Sequence, residues 1–283
     1  MSSLHGVEEV KKFIKRLKKD FFVIDVHAHI GETVGIGVFM PSVVKVTPED
    51  LIKSMDLNGS DIAVVSPLVG YLRPNGIKDT MKQNDAVAAA VEKYPDKFPC
   101  GLGIVDPYDG DKAIEEAHRI MGDLGLKGLL FHMTYQGTFL NHPLVINILK
   151  ELAKYPRAVV MAHTSIGIPG EPWRLGELAE LFPNITFISA HPSISDGQLC
   201  QHVPLCKRLK NLYIDTALWI PEDETWLTAK AIGADQIVYG GDVGGISCLS
   251  FGLLQLLITG IFSEEELEKI LCVNASKIFG IKI

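Results

Sequence analysis

Two histidines separated by one residue, His27 and His29, close the short apolar run Phe21-Phe22-Val23-Ile24-Asp25-Val26. Side chains i and i+2 of a strand face the same side, so a strand here presents both imidazoles in one direction. One rigid element with two same-facing imidazoles supplies half of what a first-row metal needs. Such a metal activates water or polarises a substrate oxygen. The competing reading is chance, since the chain has nine histidines. Only further ligands converging on the same place decide against it.

Where those ligands could come from depends on the surrounding elements. Seven more short apolar runs follow, near 61–65, 98–105, 126–131, 158–162, 185–190, 212–215 and 236–239, with helical patterns between them. They show little apolar–polar alternation, as strands buried on both faces of a parallel sheet do. Helix starts are marked by Thr47-Pro48-Glu49-Asp50 and by Ser263-Glu264-Glu265-Glu266, and a stop by Asn58-Gly59. Eight such units favour a closed (β/α)8 TIM barrel, an α/β fold, as a single domain over residues 1–283. No Gly-x-Gly-x-x-Gly follows a strand, which removes the main signal for dinucleotide binding. Residues 1–20 read as an amphipathic surface helix, with Val7, Val10, Phe13, Ile14 and Leu17 at helical spacing beside the lysines of 11–19. The Gly-rich stretch 31–46 reads as a loop suited to a lid.

In a parallel barrel the site forms where strands end and βα loops begin. His27 and His29 end the first strand, His163 the fifth and His191 the sixth, and Asp242 follows the eighth. His5, His118 and His142 fall in the N-terminal segment, in a helix and at a helix start, and read as surface or packing residues.

The constellation Asp25-Val26-His27-Ala28-His29 with His163, His191 and Asp242 resembles the amidohydrolase superfamily. Within it, the chain is most similar to the amidohydrolase-2 branch, which includes aminocarboxymuconate semialdehyde decarboxylase and related aromatic-acid decarboxylases. Lys127-Gly128-Leu129-Leu130-Phe131-His132, Asn211-Leu212-Tyr213-Ile214-Asp215-Thr216 and Asn274-Ala275-Ser276-Lys277-Ile278-Phe279-Gly280 extend the likeness over nearly the whole chain. The resemblance implies that His27, His29, His163 and Asp242 are metal ligands. It makes His191 the catalytic histidine of a mononuclear site, with Asp242 also taking a proton. Three imidazoles and a carboxylate suit Zn²⁺, and Mn²⁺ or Fe²⁺ accept the same set. Binuclear members of the superfamily carry a carboxylated lysine at the end of strand four. Here Phe131-His132 stands at that end and Lys127 at the strand's start, which favours one metal and leaves His132 to line the pocket, to supply an unusual ligand, or simply to be satisfied by neighbouring loops.

Two activities fit these residues. One is hydrolysis, with a metal-activated water attacking an amide, ester or lactone carbonyl. The alternative is non-oxidative decarboxylation of an unsaturated or aromatic carboxylic acid on the same site. Both need the same five residues. A non-catalytic barrel that keeps its metal fits poorly with an intact ligand set plus His191. Arg73 and Arg174, in βα loops, could pair with the carboxylate of a small anionic substrate. Phe39, Tyr71, Trp173 and Trp219 could stack on a planar substrate or simply pack.

Composition bounds the rest. With 47% hydrophobic and 22% charged residues the chain has ample core and no signature of disorder. A net charge of −7 argues against a nucleic-acid partner. No apolar run reaches the length of a membrane span, and no secretory leader pattern opens the sequence. Five cysteines without a Cys-x-x-Cys pair suit a reducing cytoplasm. A homodimer is what the family resemblance implies.

Overall fold

In the computed structural model, the structure describes residues 2–19, 21–34, 43–68, 73–165, 167–193, 197–219, 223–244 and 252–283. Helix α1 (Ser2–Lys18) is followed by β1 (Ile24–Val34), β2 (Val43–Val46), α2 (Pro48–Asn58), β3 (Ile62–Pro67) and α3 (Ile77–Lys93). Next come β4 (Cys100–Gly101), β5 (Gly103–Ile104), α4 (Asp111–Met121), β6 (Gly128–Phe131), the single turn α5 (Met133–Gln136) and α6 (Pro143–Leu152). The second half holds β7 (Val159–His163), α7 (Pro172–Leu181), β8 (Thr186–Ala190), α8 (Gln198–Arg208), β9 (Leu212–Asp215), α9 (Asp223–Ile232) and β10 (Ile237–Val238). Helices α10 (Gly252–Ile258), α11 (Glu264–Glu268) and α12 (Asn274–Phe279) complete the chain. No helix among the described residues is long and apolar enough to cross a membrane.

The strands form a closed (β/α)8 barrel. β1, β3 and β4 pair in parallel, and so do β5 to β10 in chain order. Only Leu102 separates β4 from β5, and its amide donates to the Val65 carbonyl at 2.9 Å, so the two pieces act as one interrupted strand. The last seam is closed by the Val26 amide on the Tyr239 carbonyl (3.0 Å) and the His29 amide on the Val243 carbonyl (2.8 Å), with Ala28 pairing Val243 in parallel. Both expected capping boxes are formed, Thr47 with Asp50 and Ser263 with Glu266.

The stretch 31–46 is not one loop. Gly31–Val34 continues β1 and pairs antiparallel with Val43–Val46. The β-branched residues Thr33, Val34, Val43, Val44 and Val46 favour that pairing over the irregular chain suggested by the glycines. Residues 35–42, with Phe39, lie outside the described residues, as does Tyr71.

Two apolar layers sandwich the barrel wall. Ile24, Val26, Ile62, Val64, Leu130, Met161, Ile188 and Val238 form an inner cluster, completed by Ile278 and Phe279 of α12. Ala63, Val65, Leu129, Phe131, Val160, Phe187 and Tyr239 belong to the layer between strands and helices. In β1 the alternation changes phase. Ile24 and Val26 belong to the inner cluster, but Ala28 and Ile30 belong to the outer layer. The cause is a β-bulge: Asp25 pairs with Ala63 and Ala28 with Val65, so β1 carries one extra residue. Beyond the bulge, His27 and His29 take the inward face.

Candidate metal centre

Four imidazoles and one carboxylate meet at the rim where the strands end. The His27 ring lies 5.0 Å from the rings of His29 and His163 and 4.9 Å from that of His191, between centroids. Asp242 Oδ1 is 3.5 Å from His27 Nε2 and 3.4 Å from His29 Nε2. Its Oδ2 is 4.0 Å from His191 Nε2. Ligand atoms of His27, His29 and His163 lie within 4.8 Å of one another, and so do those of His27, His191 and Asp242. Ligands at about 2.1 Å from a tetrahedral ion stand about 3.4 Å apart, so these separations suit one first-row cation. His27 Nε2 is buried and has no hydrogen-bond partner, the state of an imidazole nitrogen whose lone pair is kept for an ion.

Each side chain arrives by a traceable route. The bulge turns His27 and His29 inward, and His163 shares the inner face of β7 with Val159 and Met161. In β8, Ile188 and Ala190 face inward. Simple alternation therefore aims the next odd position, 191, away from the centre. His191 instead has φ 57°, and Asp242 has φ 51°. A left-handed backbone costs a non-glycine residue about 1–2 kcal/mol, and both turns bring a functional side chain to the rim. Gly241 is required beside them, because a Cβ there would lie 2.4 Å from Asp25 Oδ2.

The tautomers are set from behind. His27 Nδ1 is 2.6 Å from Asp215 Oδ2, His29 Nδ1 is 3.1 Å from the Pro67 carbonyl, and His163 Nδ1 is 3.3 Å from the Phe131 carbonyl. Each acceptor holds the proton on Nδ1 and leaves Nε2 bare for a ligand bond. His191 differs: its Nδ1 is buried with no partner. Asp215 also accepts the His191 and Ala217 amides on Oδ1, both at 3.1 Å. Asp25 accepts the His27 and Gly241 amides on its own Oδ1.

Electrostatics leave the centre ready for a cation. Burial holds His163 well below the ordinary imidazole value, lowers His191, and pushes His132 down to about 3. Burial alone would raise Asp242, but His27, His29 and His191 hold it well below the usual carboxylate range. His27 is the exception. Burial opposes its charge, yet the Asp215 hydrogen bond and the neighbouring Asp242 carry it up to about 9. Burial raises Asp25 to about 7 against its two amide donors.

The other expected site residues separate. His132 joins the cluster: its ring stacks 4.3 Å from that of His163 and lies 4.0 Å from that of Tyr135 at a tilt of 35°, and its buried Nδ1 has no partner. Arg73 is bonded to Asp106, to Asp109 at 2.8 Å and to Thr80 at 2.8 Å, so two carboxylates already neutralise it. Arg174 lies between the rings of Phe139 and Trp173, 4.3 Å from each centroid, and donates to Asn141 at 2.7 Å. Trp219 is a packing residue, 4% exposed against Trp226, with its indole N–H on the Asp215 carbonyl at 2.7 Å. His118 bonds Tyr155 and Glu151, and His142 caps α6, as packing roles require. Neither Asp215 nor Gln198 is among the site residues expected from the sequence. Asp215 had a signal, an aspartate at the end of the seventh strand.

Comparison with known proteins agrees with this geometry. The family model described as Amidohydrolase matches residues 24–281. No curated protein sequence matches the chain. Among solved structures, 2,6-dihydroxybenzoate decarboxylase from Rhizobium is similar at TM-score 0.68 and 19% identity, over 92% of this chain and 98% of its own. A 5-carboxyvanillate decarboxylase from Novosphingobium aromaticivorans, complexed with manganese and 4-hydroxy-3-methoxy-5-nitrobenzoic acid, has TM-score 0.68 at 15% identity, covering 93% and 97%. The 4-oxalomesaconate hydratase of Rhodopseudomonas palustris has TM-score 0.65 at 14% identity, covering 92% and 96%.

Proposed function

Because the chain belongs to the amidohydrolase family, we propose that it is a metal-dependent, non-oxidative decarboxylase of a small unsaturated or aromatic carboxylic acid. His27, His29, His163 and Asp242 hold one divalent ion in this reading, zinc by donor set, with manganese or iron as the other outcomes of elemental analysis. When bound, the ion supplies Lewis-acid polarisation of substrate oxygens. The choice of decarboxylation over hydrolysis rests on the similar folds, two of which are named decarboxylases of aromatic acids. His132 in place of a lysine at the end of the fourth strand supports a single ion.

The protein's own groups then divide the work. The rings of His132 and Tyr135, tilted by 35° with centroids 4.0 Å apart, offer aromatic surface for a planar acid. Decarboxylation breaks the bond from carbon to carboxylate, releases CO2 and leaves the carbon an electron pair that takes a proton. Among His27, His29, His163 and His191, only His191 has an Nδ1 without a protein acceptor, and its Nε2 faces Asp242 Oδ2 at 4.0 Å. These two atoms hold and pass that proton. Arg174, whose carboxylate partner Glu171 stands 3.7 Å away, is less committed than Arg73, which is paired with two aspartates, and is the better partner for a substrate anion. Arg174→Met then raises KM for acids with little change in kcat. The reading includes a cytoplasmic location and a homodimer, the latter tested by light scattering.

Hydrolysis, which uses the same five residues, is the second reading. A panel of unsaturated and aromatic acids, amides and lactones in heavy-oxygen water separates them. CO2 release without label in the product supports the decarboxylase. Heavy oxygen in the product with no CO2 overturns it.

A further inference from the structure

We propose that Gln198, the first residue of α8, is a positioning residue that sets His191 against the metal centre through a closed circuit of buried hydrogen bonds with Thr164, Ser189 and His202. The proposal rests on the role given to His191 above, but not on which bond the enzyme breaks.

Gln198 is fully buried. Its Nε2 donates to the His191 carbonyl at 2.7 Å and to the Thr164 carbonyl at 2.9 Å, with Thr164 Oγ1 at 3.1 Å. Thr164 directly follows the ligand His163, so one amide group clamps the exits of β7 and β8 beside each other. The circuit continues from Thr164 Oγ1 to Ser189 Oγ at 2.7 Å and from Ser189 Oγ to His202 Nε2 at 2.7 Å. It closes from His202 Nδ1 to the Gln198 carbonyl at 3.1 Å.

Each link has one direction. The Gln198 carbonyl only accepts, so His202 carries its proton on Nδ1. Burial keeps that ring neutral, so its Nε2 accepts the Ser189 hydroxyl. Ser189 in turn accepts from Thr164, and Thr164 accepts from Gln198. A flipped Gln198 amide would set its oxygen against two carbonyls, so the amide orientation is fixed. That fixed donor grips the carbonyl of His191, whose left-handed φ of 57° turns the imidazole back toward the centre.

Two comparable amide brackets elsewhere in the barrel have no such neighbour. Asn211 Nδ2 spans the Ala179, Phe182 and Ile185 carbonyls, and Gln236 Nε2 spans those of Leu209 and Leu212. Both lie where strands begin, at the opposite end from the histidines. An amide bracket by itself is therefore a structural device. Gln198 differs in what it holds, and Asn211 supplies a matched control.

Gln198→Met keeps the side chain's length and removes both donors. In metal-loaded protein, on whichever substrate is turned over, kcat should fall roughly tenfold or more, with KM within about threefold. Metal stoichiometry should be unchanged. A crystal structure of the variant should show His191 outside the left-handed region, or its ring displaced from Asp242. Asn211→Leu should lose thermal stability and keep kcat within about twofold. Ser189→Ala, one link away, should give a smaller kcat loss of about threefold, and it carries the test if Gln198→Met does not fold. An unchanged His191 backbone and ring with unchanged kcat overturns the proposal, as does an equal kcat loss in Asn211→Leu. The His191 geometry is read without any substrate, so failure here is distinct from failure of the decarboxylase reading.

Discussion

Asp215→Asn tests the metal centre most sharply, because the change is isosteric and its orientation is dictated in advance. Asp215 Oδ1 accepts two backbone amides, from His191 and Ala217, while Oδ2 faces His27 Nδ1 at 2.6 Å. An asparagine must keep its oxygen toward the two amides, which puts its NH2 opposite His27 Nδ1. His27 can accept that donor only by moving its proton to Nε2, the nitrogen that faces Asp242 and the ion. Binding a cation then requires the original tautomer, with two buried N–H groups opposed. An unsatisfied buried donor costs about 1–3 kcal/mol, which converts to a loss in metal affinity of roughly 5- to 150-fold. Turning the amide over is worse, since it opposes two backbone N–H groups. Competition with a chromophoric chelator at fixed pH measures the affinity, and circular dichroism checks the fold. A variant that binds zinc or manganese within about twofold of the parent would refute the tautomer assignment.

Three further outcomes follow from the same geometry. His202 is fully buried and held down to about 4, whereas an unfolded histidine titrates near 6.5. The unfolded state therefore binds the extra proton first, and His202 costs the fold about 2 kcal/mol between pH 7 and pH 5. Denaturant titrations of the apoprotein should show a smaller drop in His202→Gln by about that amount, and equal drops would exclude the assignment. Gly241→Ala places a Cβ 2.4 Å from Asp25 Oδ2, so stability should fall by about 1–3 kcal/mol, read as a lower denaturation midpoint. Cys200 is exposed, while burial pushes the Cys100 and Cys206 thiols up to about 12. Brief alkylation of folded protein followed by peptide mass spectrometry should modify Cys200 and spare the other two, and early labelling of Cys100 would contradict the closed core.

The sequence makes the candidate ligand set legible because strand ends are local events: an apolar run stops, and the next polar residue stands at the rim. His163 follows Val159-Val160-Met161-Ala162 in register with its strand, and its inward aim needs no further information. His27 and His29 were aligned for a reason the sequence only half contains. Their spacing puts them on one face, but Ile24 and Val26 already occupy the inner face at the opposite parity, and only the bulge against β3 reconciles the two. That bulge is a property of a pairing between strands and leaves no mark within either one. His191 and Asp242 share the difficulty, since a left-handed turn at a histidine or an aspartate is imposed by what holds it. Asp215 could be seen at a strand end, yet its use behind His27 depends on two strands that lie apart in the sequence and across the rim in space. Gln198 and His202 belong to a helix pattern and point back at two strands, which a periodicity reading assigns to packing. Trp219 and Arg73 show the complementary difficulty: a loop aromatic and a loop cation carry no sign in the sequence of their contacts with Trp226, or with Asp106 and Asp109. Chemistry-bearing residue types at strand ends are thus readable one strand at a time. The supports that select their tautomers and turn them inward are readable only once the barrel has closed.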